Sequence, residues 1–302
     1  MGLAQVTRGV GGREDYLDTN NVIFSNSGNF GSNTDTTDGD IITFTSVLTN
    51  STAADNFVPY RSVSLNSTTY PYIMARVKVA TLDSGAGLQV QLYAHFTDSS
   101  TSRTVIATAP TTAMTVYTSP ALPTGKTIDR IGVVVQSTVS QNGTFNVNYQ
   151  VDFVMSFKEL LTLPTVIQPI GFRKQRNIVE IPIIQREGGQ VQDLGSMSPE
   201  VTVAGGLVNT TSGQSGWTNT YTADQWWQIM LGITLETGTI QADGNPTWQW
   251  FSSDEIQGKY LPKAFLPQQV PGRVNYHNYA LQLKQMDVGP ETTANSLTGV
   301  TY

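Results

Sequence analysis

The chain has 302 residues, of which 39% are hydrophobic, and this is enough for two domains that each bury a core. Only 13% of the residues are charged and the net charge is −6, so the sequence lacks the basic surface with which proteins bind nucleic acid. Cysteine is absent, which excludes disulfides, thiolate nucleophiles and zinc–cysteine sites.

The first 39 residues are rich in Asn, Thr, Gly and Asp and cannot cover themselves with apolar side chains, so residues 1–39 are predicted to be an N-terminal arm. Short stretches of alternating apolar and polar residues follow, and this period of two predicts half-buried strands. The predicted strands are 41–45, 72–79, 88–93, 103–107, 114–118, 128–136 and 146–155. Asn142-Gly143 predicts a hairpin turn. Residues 40–158 are therefore predicted to form a jelly-roll β-sandwich.

Residues 159–177 contain two prolines and are predicted to be a linker. In the second domain, residues 178–286, apolar stretches predict further strands. These are 178–184, 200–205, 247–251, 260–266 and 276–286. One helix is predicted from Asp224 to about Leu235, because Thr222 and Gln225 have the spacing of a capping box. The predicted class is all-β, a jelly roll followed by a β-sandwich or barrel with one helix, and residues 287–302 are predicted to be a polar C-terminal tail.

Catalytic groups are sparse in this sequence. His95 and His277 are the two histidines, and they fall in different predicted domains. A serine triad needs a histidine near a serine on a sharp turn, and no Gly-x-Ser-x-Gly elbow is present. Glycoside hydrolysis needs two facing carboxylates, and the acidic residues are scattered in turns. We therefore expect that the protein is not an enzyme.

Acidic residues cluster at one place in the predicted arm, where Asp35, Asp38 and Asp40 supply the hard oxygens that calcium prefers. The cluster lacks the spacing and the distal Glu of an EF-hand loop. Asp152 interrupts an apolar run and is either a structural ligand or a residue on the exposed face of a strand. These four residues are the candidates for a structural calcium ion, and no other cofactor is expected.

Aromatic residues next to polar ones could form platforms for sugar rings. The candidates are Tyr70 and Tyr72 in the first half, and Trp217, Trp248 and Trp250 in the second. Trp248 and Trp250 share one face of an alternating strand, so they form either a platform or a stripe of the core. Both interpretations stay open at this point.

Residues 70–158 resemble the jelly-roll sandwiches of carbohydrate-binding modules. The resemblance lies in the stretch from Tyr70-Pro71-Tyr72 to Lys78 and in the closing Tyr149-Gln150-Val151-Asp152-Phe153-Val154, where such modules often carry an Asp. It implies a sandwich that binds a glycan or decorates a larger assembly.

The second half resembles tail proteins of tailed viruses, in the distal-tail and baseplate group. The matching pieces are Glu180-Ile181-Pro182, the run 186–195, the strand 200–205, the pieces 250–254 and 258–260, and Gly272-Arg273 before 279–283. One helix within a β-sandwich also suits the tail-tube type of fold. Distal-tail proteins usually carry the ring-forming domain first, whereas here the jelly roll comes first.

This second resemblance implies a structural role in a virion tail. The implied partners are copies of the chain in a ring, expected to be a hexamer, together with other tail or baseplate proteins and host-surface glycans. No segment reaches the roughly 18 apolar residues of a membrane span, so no membrane insertion is expected. Two alternatives stay open: a stand-alone carbohydrate-binding adhesin and, with less support, a polysaccharide-cleaving enzyme.

Overall fold

The computed structural model describes residues 4–14, 23–24, 28–38, 41–164, 171–173, 176–182, 189–196, 199–214, 217–236, 248–253, 256–270 and 277–285. The chain divides into two compact units. Arg8–Glu159 form one of them, which we call the sandwich unit. Residues 4–7 join the described residues from Leu160 to Gln285 in the other, which we call the helix unit.

The described chain is almost entirely β-structure. Its strands, in chain order, are β1 (Gln5–Glu14), β2 (Ile23–Phe24), β3 (Phe30–Asp38), β4 (Ile41–Ser51), β5 (Asn56–Phe57), β6 (Pro59–Asn66), β7 (Tyr72–Leu82), β8 (Leu88–Phe96), β9 (Thr101–Ala107), β10 (Thr115–Thr118), β11 (Thr127–Ser137), β12 (Gln141–Thr162), β13 (Gly171–Arg173), β14 (Arg176–Pro182), β15 (Gly189–Ser196), β16 (Glu200–Leu207), β17 (Gln249–Ser252), β18 (Gln257–Gln269) and β19 (His277–Gln285). A single helix, α1, spans Ala223–Glu236.

Two antiparallel sheets form the sandwich unit, which confirms the predicted all-β jelly-roll class. One sheet has the order β10–β7–β12–β4–β3, and the other is six-stranded, with the order β2–β6–β11–β8–β9 and β5 paired to β11. Alternation explains the layering: in β8 the side chains of Leu88, Val90 and Leu92 enter the core, and the residues between them face outward. At the centre of the core, the rings of Phe44 and Tyr149 lie 5.3 Å apart.

The structure corrects two of the predictions for this half. Where the structure describes residues 1–39, they are not an arm: β1 and β3 belong to sheets, β3 pairs along β4, and the sandwich unit starts at Arg8 instead of residue 40. Asn142-Gly143 is not a hairpin turn, because both residues lie inside β12 at an irregularity in its pairing with β4. Gly143 has a φ of 146°, and glycine suits a bulge as well as it suits a turn.

The helix unit is built on an antiparallel sheet with the order β1–β17–β18–β19–β16–β13, to which β1 contributes Gln5 and Val6. Part of the predicted linker, residues 159–177, is strand instead. Strand β12 continues to Thr162, and β13 pairs with β16. The strands β14 and β15 form a separate two-stranded hairpin. The predicted tail, 287–302, lies outside the described residues.

Helix α1 packs its apolar side on the sheet of the helix unit. Trp226, Met230 and Ile233 are buried in one core with Val203 and Leu281 of the sheet. The helix is the one predicted, and it begins with the predicted capping box. There the Gln225 N–H donates to Thr222 Oγ1 at 3.2 Å, and the Thr222 N–H donates to Gln225 Oε1 at 2.8 Å. In the described part of the chain, no helix has the length and apolar character needed to cross a membrane.

Candidate functional site

Two of the tryptophans predicted as sugar platforms lie inside the helix unit. Trp248 is 0% and Trp250 is 2% exposed, so neither ring offers an open face to a sugar. The ammonium group of Lys259, itself buried, lies 5.5 Å from the ring centroid of Trp248. The arrangement corresponds to the core interpretation that the sequence left open.

The other three candidate aromatics are half-buried, Tyr70 and Tyr72 in the sandwich unit and Trp217 in the helix unit. Tyr72 stacks on Phe157, with ring centroids 5.6 Å apart and an interplanar angle of 30°. The ring of Tyr70 lies against Gly11, where an added Cβ would come within 2.6 Å of it. Trp217 belongs to the helix unit, in a turn closed by the Gly213 N–H donating to the Trp217 carbonyl at 2.9 Å.

Of the four candidate calcium ligands, the structure describes the side chains of Asp35 and Asp152. Asp35 is half-buried on β3, opposite Phe44. The side chain of Asp38 and all of Asp40 lie outside the described residues. Asp152 is not an exposed residue, because it is buried and its Oδ2 lies 2.9 Å from Nη1 of Arg76. Among the described residues, no group of three or more His, Cys, Asp or Glu side chains could hold a metal ion.

The two histidines occupy different units and make different contacts. His95 faces outward from β8, and its Nδ1 lies 2.6 Å from Oδ1 of Asp129. His277 packs edge-on against Trp227, with ring centroids 4.9 Å apart. Nδ1 of His277 is buried and has no hydrogen-bond partner among the described residues.

A site that the sequence did not indicate lies on the outer face of the six-stranded sheet of the sandwich unit. Tyr93, Gly132 and Tyr60 stand in register on β8, β11 and β6, so two tyrosines flank a glycine. The guanidinium of Arg103 lies 5.4 Å from the ring centroid of Tyr93, and that of Arg130 lies 4.7 Å from the ring centroid of Tyr60. Burial is the main cause that raises the pKa of the Tyr93 hydroxyl above its usual value.

Next to these rings, three carboxamide side chains cross the face in one row. Gln89, Gln136 and Asn56 are in register on β8, β11 and β5, and we call them the amide row. Gln91, which is 4% exposed, donates from Nε2 to Oε1 of Gln89 at 3.1 Å and to Oε1 of Gln136 at 3.2 Å. The guanidinium of Arg103 crosses the face and donates to Oδ1 of Asn56 at 2.6 Å.

Part of this face could have been anticipated. The outward positions of β8 are Gln89, Gln91, Tyr93 and His95, an unbroken set of polar and aromatic residues that strand alternation places on one side. The partners of these residues come from distant segments, and only the strand register brings Asn56 and Gln136 beside them.

The helix unit presents two features of a different kind. Among the described strands, β14 and β15 pair only with each other. On the side of the sheet opposite α1, Ala204, Ala280 and Leu266 stand in register on β16, β19 and β18 beside the pair Thr202 and Gln282. We call these two uncharged rows the neutral face; the next row along the strands is the charged pair Glu200 and Lys284. Leu266 is 51% exposed, and an open groove runs along this face.

Comparisons with known proteins add little to this geometry. No protein-family model matches the chain, and no curated protein matches it. One similar solved structure is the N-terminal CBM22-1–CBM22-2 tandem domain from Paenibacillus barcinonensis Xyn10C, with 11% sequence identity, over 96% of this chain and 88% of that one. The TM-score is 0.29, which is too low to carry an inference about fold or ligand.

Proposed function

We propose that the protein is a structural component of a viral tail or baseplate. Its helix unit forms a homo-oligomeric ring, expected to be a hexamer, and its sandwich unit is displayed for decoration or host-surface binding. The proposal rests on the architecture of the segment that resembles tail proteins. This segment holds an antiparallel sheet, one helix packed on it and a separate hairpin.

The hairpin of β14 and β15 supports assembly through its strand edges. A two-stranded ribbon is at best marginally stable by itself in water, and its outer edges present unpaired backbone groups that can join another chain. In a ring, each copy covers the ribbon of its neighbour through a heterologous contact that closes on itself.

The neutral face of the sheet supports the same role. Ala204, Ala280 and Leu266, together with the flanking row of Thr202 and Gln282, carry no charge. A second copy can pack on such a surface without burying an unpaired ion, which would be costly. Other tail or baseplate proteins are the further partners of the proposal.

The test is the mass of the full-length protein, measured by native mass spectrometry and light scattering over a wide concentration range. We expect a discrete closed oligomer with six copies. Leu266→Asp places a charge on the neutral face and should shift the protein towards monomers. Val105→Asp is the matched control, because Val105 is 49% exposed on β9 of the sandwich unit. A strict monomer at all concentrations would contradict the proposal.

A stand-alone carbohydrate-binding adhesin is the second candidate. It is favoured by the polar and aromatic outer face of the six-stranded sheet, described above. The two functions differ in one measurable respect, since an adhesin of this kind binds glycans as a monomer. Glycan binding by a protein that never assembles would select the second candidate.

A further inference from the structure

We propose that the amide row, with Gln91 behind it and the Arg103-covered ring of Tyr93 beside it, binds a neutral oligosaccharide. The site is distinct from the aromatic residues that the sequence singled out. The inference rests on the proposed role of the sandwich unit in host-surface binding, and its test does not depend on ring formation.

Gln91 fixes the orientation of the two glutamines in the row. Both of its N–H groups are used, one on Oε1 of Gln89 and one on Oε1 of Gln136. With their carbonyl oxygens held this way, Gln89 and Gln136 have their Nε2 groups free to donate, and within the described residues neither Nε2 has an acceptor. Both side chains are half-exposed. The result is a pair of aligned donors on neighbouring strands.

The network contains one acceptor that the fold leaves unsatisfied. Oε1 of Gln91 is buried and has no hydrogen-bond partner in the part of the chain that the structure describes. Buried polar groups in native proteins are nearly always paired, and this acceptor is able to take a hydrogen bond from a bound ligand or a water. A sugar hydroxyl, or a water held beneath the sugar, supplies the missing donor.

The chemistry of the row favours a sugar over other ligands. Each sugar hydroxyl both donates and accepts, which matches carboxamides that offer both functions and carry no charge. Of the two arginines on this face, Arg103 donates to Asn56, and Nε of Arg130 lies 3.8 Å from the Asp129 carboxylate. An anionic ligand would compete with those contacts. A peptide strand that adds to a sheet lies parallel to its edge strand, whereas the row runs across the strands β5, β11 and β8.

Arg103 contributes the apolar side of the site. Its guanidinium lies over the ring of Tyr93, which is itself buried, so the planar cation and not the phenol faces outward. A guanidinium group is flat and more weakly hydrated than an ammonium group, so over this ring it offers a surface for the apolar face of a pyranose. Its hydrogen bond to Asn56 holds that plane at the end of the amide row.

The experiment uses the full-length chain on an array of neutral oligosaccharides (glucans, mannans, galactans and xylans), with acidic glycans and extended peptides printed beside them. Binding to at least one neutral oligosaccharide is expected, and the strongest is then titrated by calorimetry. The double variant Gln89→Ala/Gln136→Ala should weaken that binding by tenfold or more. Gln268→Ala, an exposed glutamine of the helix unit, is the matched control and should bind like the parent.

Gln91 acts through the other two glutamines, so its variants need their own readout. Gln91→Leu removes both donated bonds and should weaken binding and broaden the choice among neutral sugars. Gln91→Glu keeps the shape of the side chain but replaces the donor by an acceptor, so it should not recover the binding that is lost in Gln91→Leu. A thermal melt for each variant identifies those that fail to fold. In that case the double variant of Gln89 and Gln136, whose side chains are only half-buried, still tests the site.

The outcomes distinguish a failure of the proposed sugar site from a failure of the proposed ring. Absence of binding to every neutral oligosaccharide overturns the inference, as does binding that survives the double variant or is confined to acidic glycans or peptides. Native mass spectrometry of Gln89→Ala/Gln136→Ala should still show the oligomer of the parent. The variant Leu266→Asp should lose the oligomer and keep the affinity of each copy for the oligosaccharide.

Discussion

Arg76 and Asp152 form an ion pair in the sandwich unit, with 2.9 Å between Nη1 and Oδ2 and both side chains about 95% or more buried. Arg76 comes from β7 and Asp152 from β12, next to a shift in the pairing of these two strands. The pair explains why a carboxylate interrupts the apolar run of β12. An acidic residue at this position therefore has a structural partner without any metal.

Removal of one partner should be strongly destabilising. Asp152→Ala leaves the Arg76 guanidinium buried without its counter-charge, which typically costs about 3–5 kcal/mol in the free energy of unfolding. Replacement of both, as Arg76→Met with Asp152→Leu, should recover most of this loss. Urea unfolding of the three proteins measures the difference. A melting temperature that falls on addition of EDTA would instead favour a bound calcium ion.

Gly132 should tolerate no side chain. A Cβ at this position would overlap the carbonyl oxygen of Pro59, which belongs to the neighbouring strand β6. We expect Gly132→Ala to lower the free energy of unfolding by about 1–3 kcal/mol, because a backbone atom has to move. In Gly232→Ala, the matched control on α1, the new methyl group meets nothing within 4 Å. There the expected change is a gain of about 0.5–1 kcal/mol, and equal effects at both sites would contradict the explanation.

The stability of the helix unit should depend on the hydroxyl group that accepts a hydrogen bond from the indole of Trp226. Its Nε1 donates to Oγ1 of Thr210 at 3.0 Å in the core of the helix unit. The same hydroxyl donates to the Asn219 carbonyl at 3.0 Å and accepts from the Tyr221 N–H at 3.2 Å. Thr210→Val keeps the shape of the side chain but removes these bonds and leaves the buried indole donor unpaired, at a cost of at least about 1–3 kcal/mol. Thr211→Val, on the exposed neighbour, should change the unfolding free energy by less than about 0.5 kcal/mol. Similar losses in the two variants would exclude the hydrogen bond as the cause.

The fold class and the helix could be predicted because they depend on local patterns. Alternation in β8 and the capping box of α1 are both written in consecutive residues. The predicted arm failed for the opposite reason. Strand β3 is polar, but pairing with β4 uses backbone groups, which every residue other than proline supplies.

The candidate site was harder to predict than the fold. Trp248 and Trp250 are conspicuous in the sequence, yet they are buried, since strand alternation says which residues share a face and not what covers that face. The amide row is inconspicuous in the sequence. Asn56, Gln89 and Gln136 lie in three separate segments, and their alignment depends on the register of β5, β8 and β11.

Two buried tyrosines of the helix unit should make the protein sensitive to alkali. Burial raises the pKa of Tyr260 and of Tyr279 well above the ordinary value of 10.0. The hydroxyl of Tyr279 donates to the carbonyl of Pro164 at 2.9 Å, whereas the hydroxyl of Tyr260 is buried with no partner in the described part of the chain. Both phenols are therefore neutral in the folded protein at a pH where they ionise in the unfolded chain.

The sign of the effect follows from proton binding. Above pH 10 the folded state holds more protons than the unfolded state, so the stability present below that pH is lost as the pH rises further, by about 1.4 kcal/mol per pH unit for each tyrosine. Tyr260→Phe should lessen this slope without loss of stability at neutral pH, because no hydrogen bond is removed. Tyr279→Phe should lessen the slope equally and lower the neutral stability by about 1 kcal/mol. Urea unfolding from pH 7 to 11, with phenolate absorbance at 295 nm, measures both quantities, and an unchanged slope in either variant would show that other groups cause the alkaline loss.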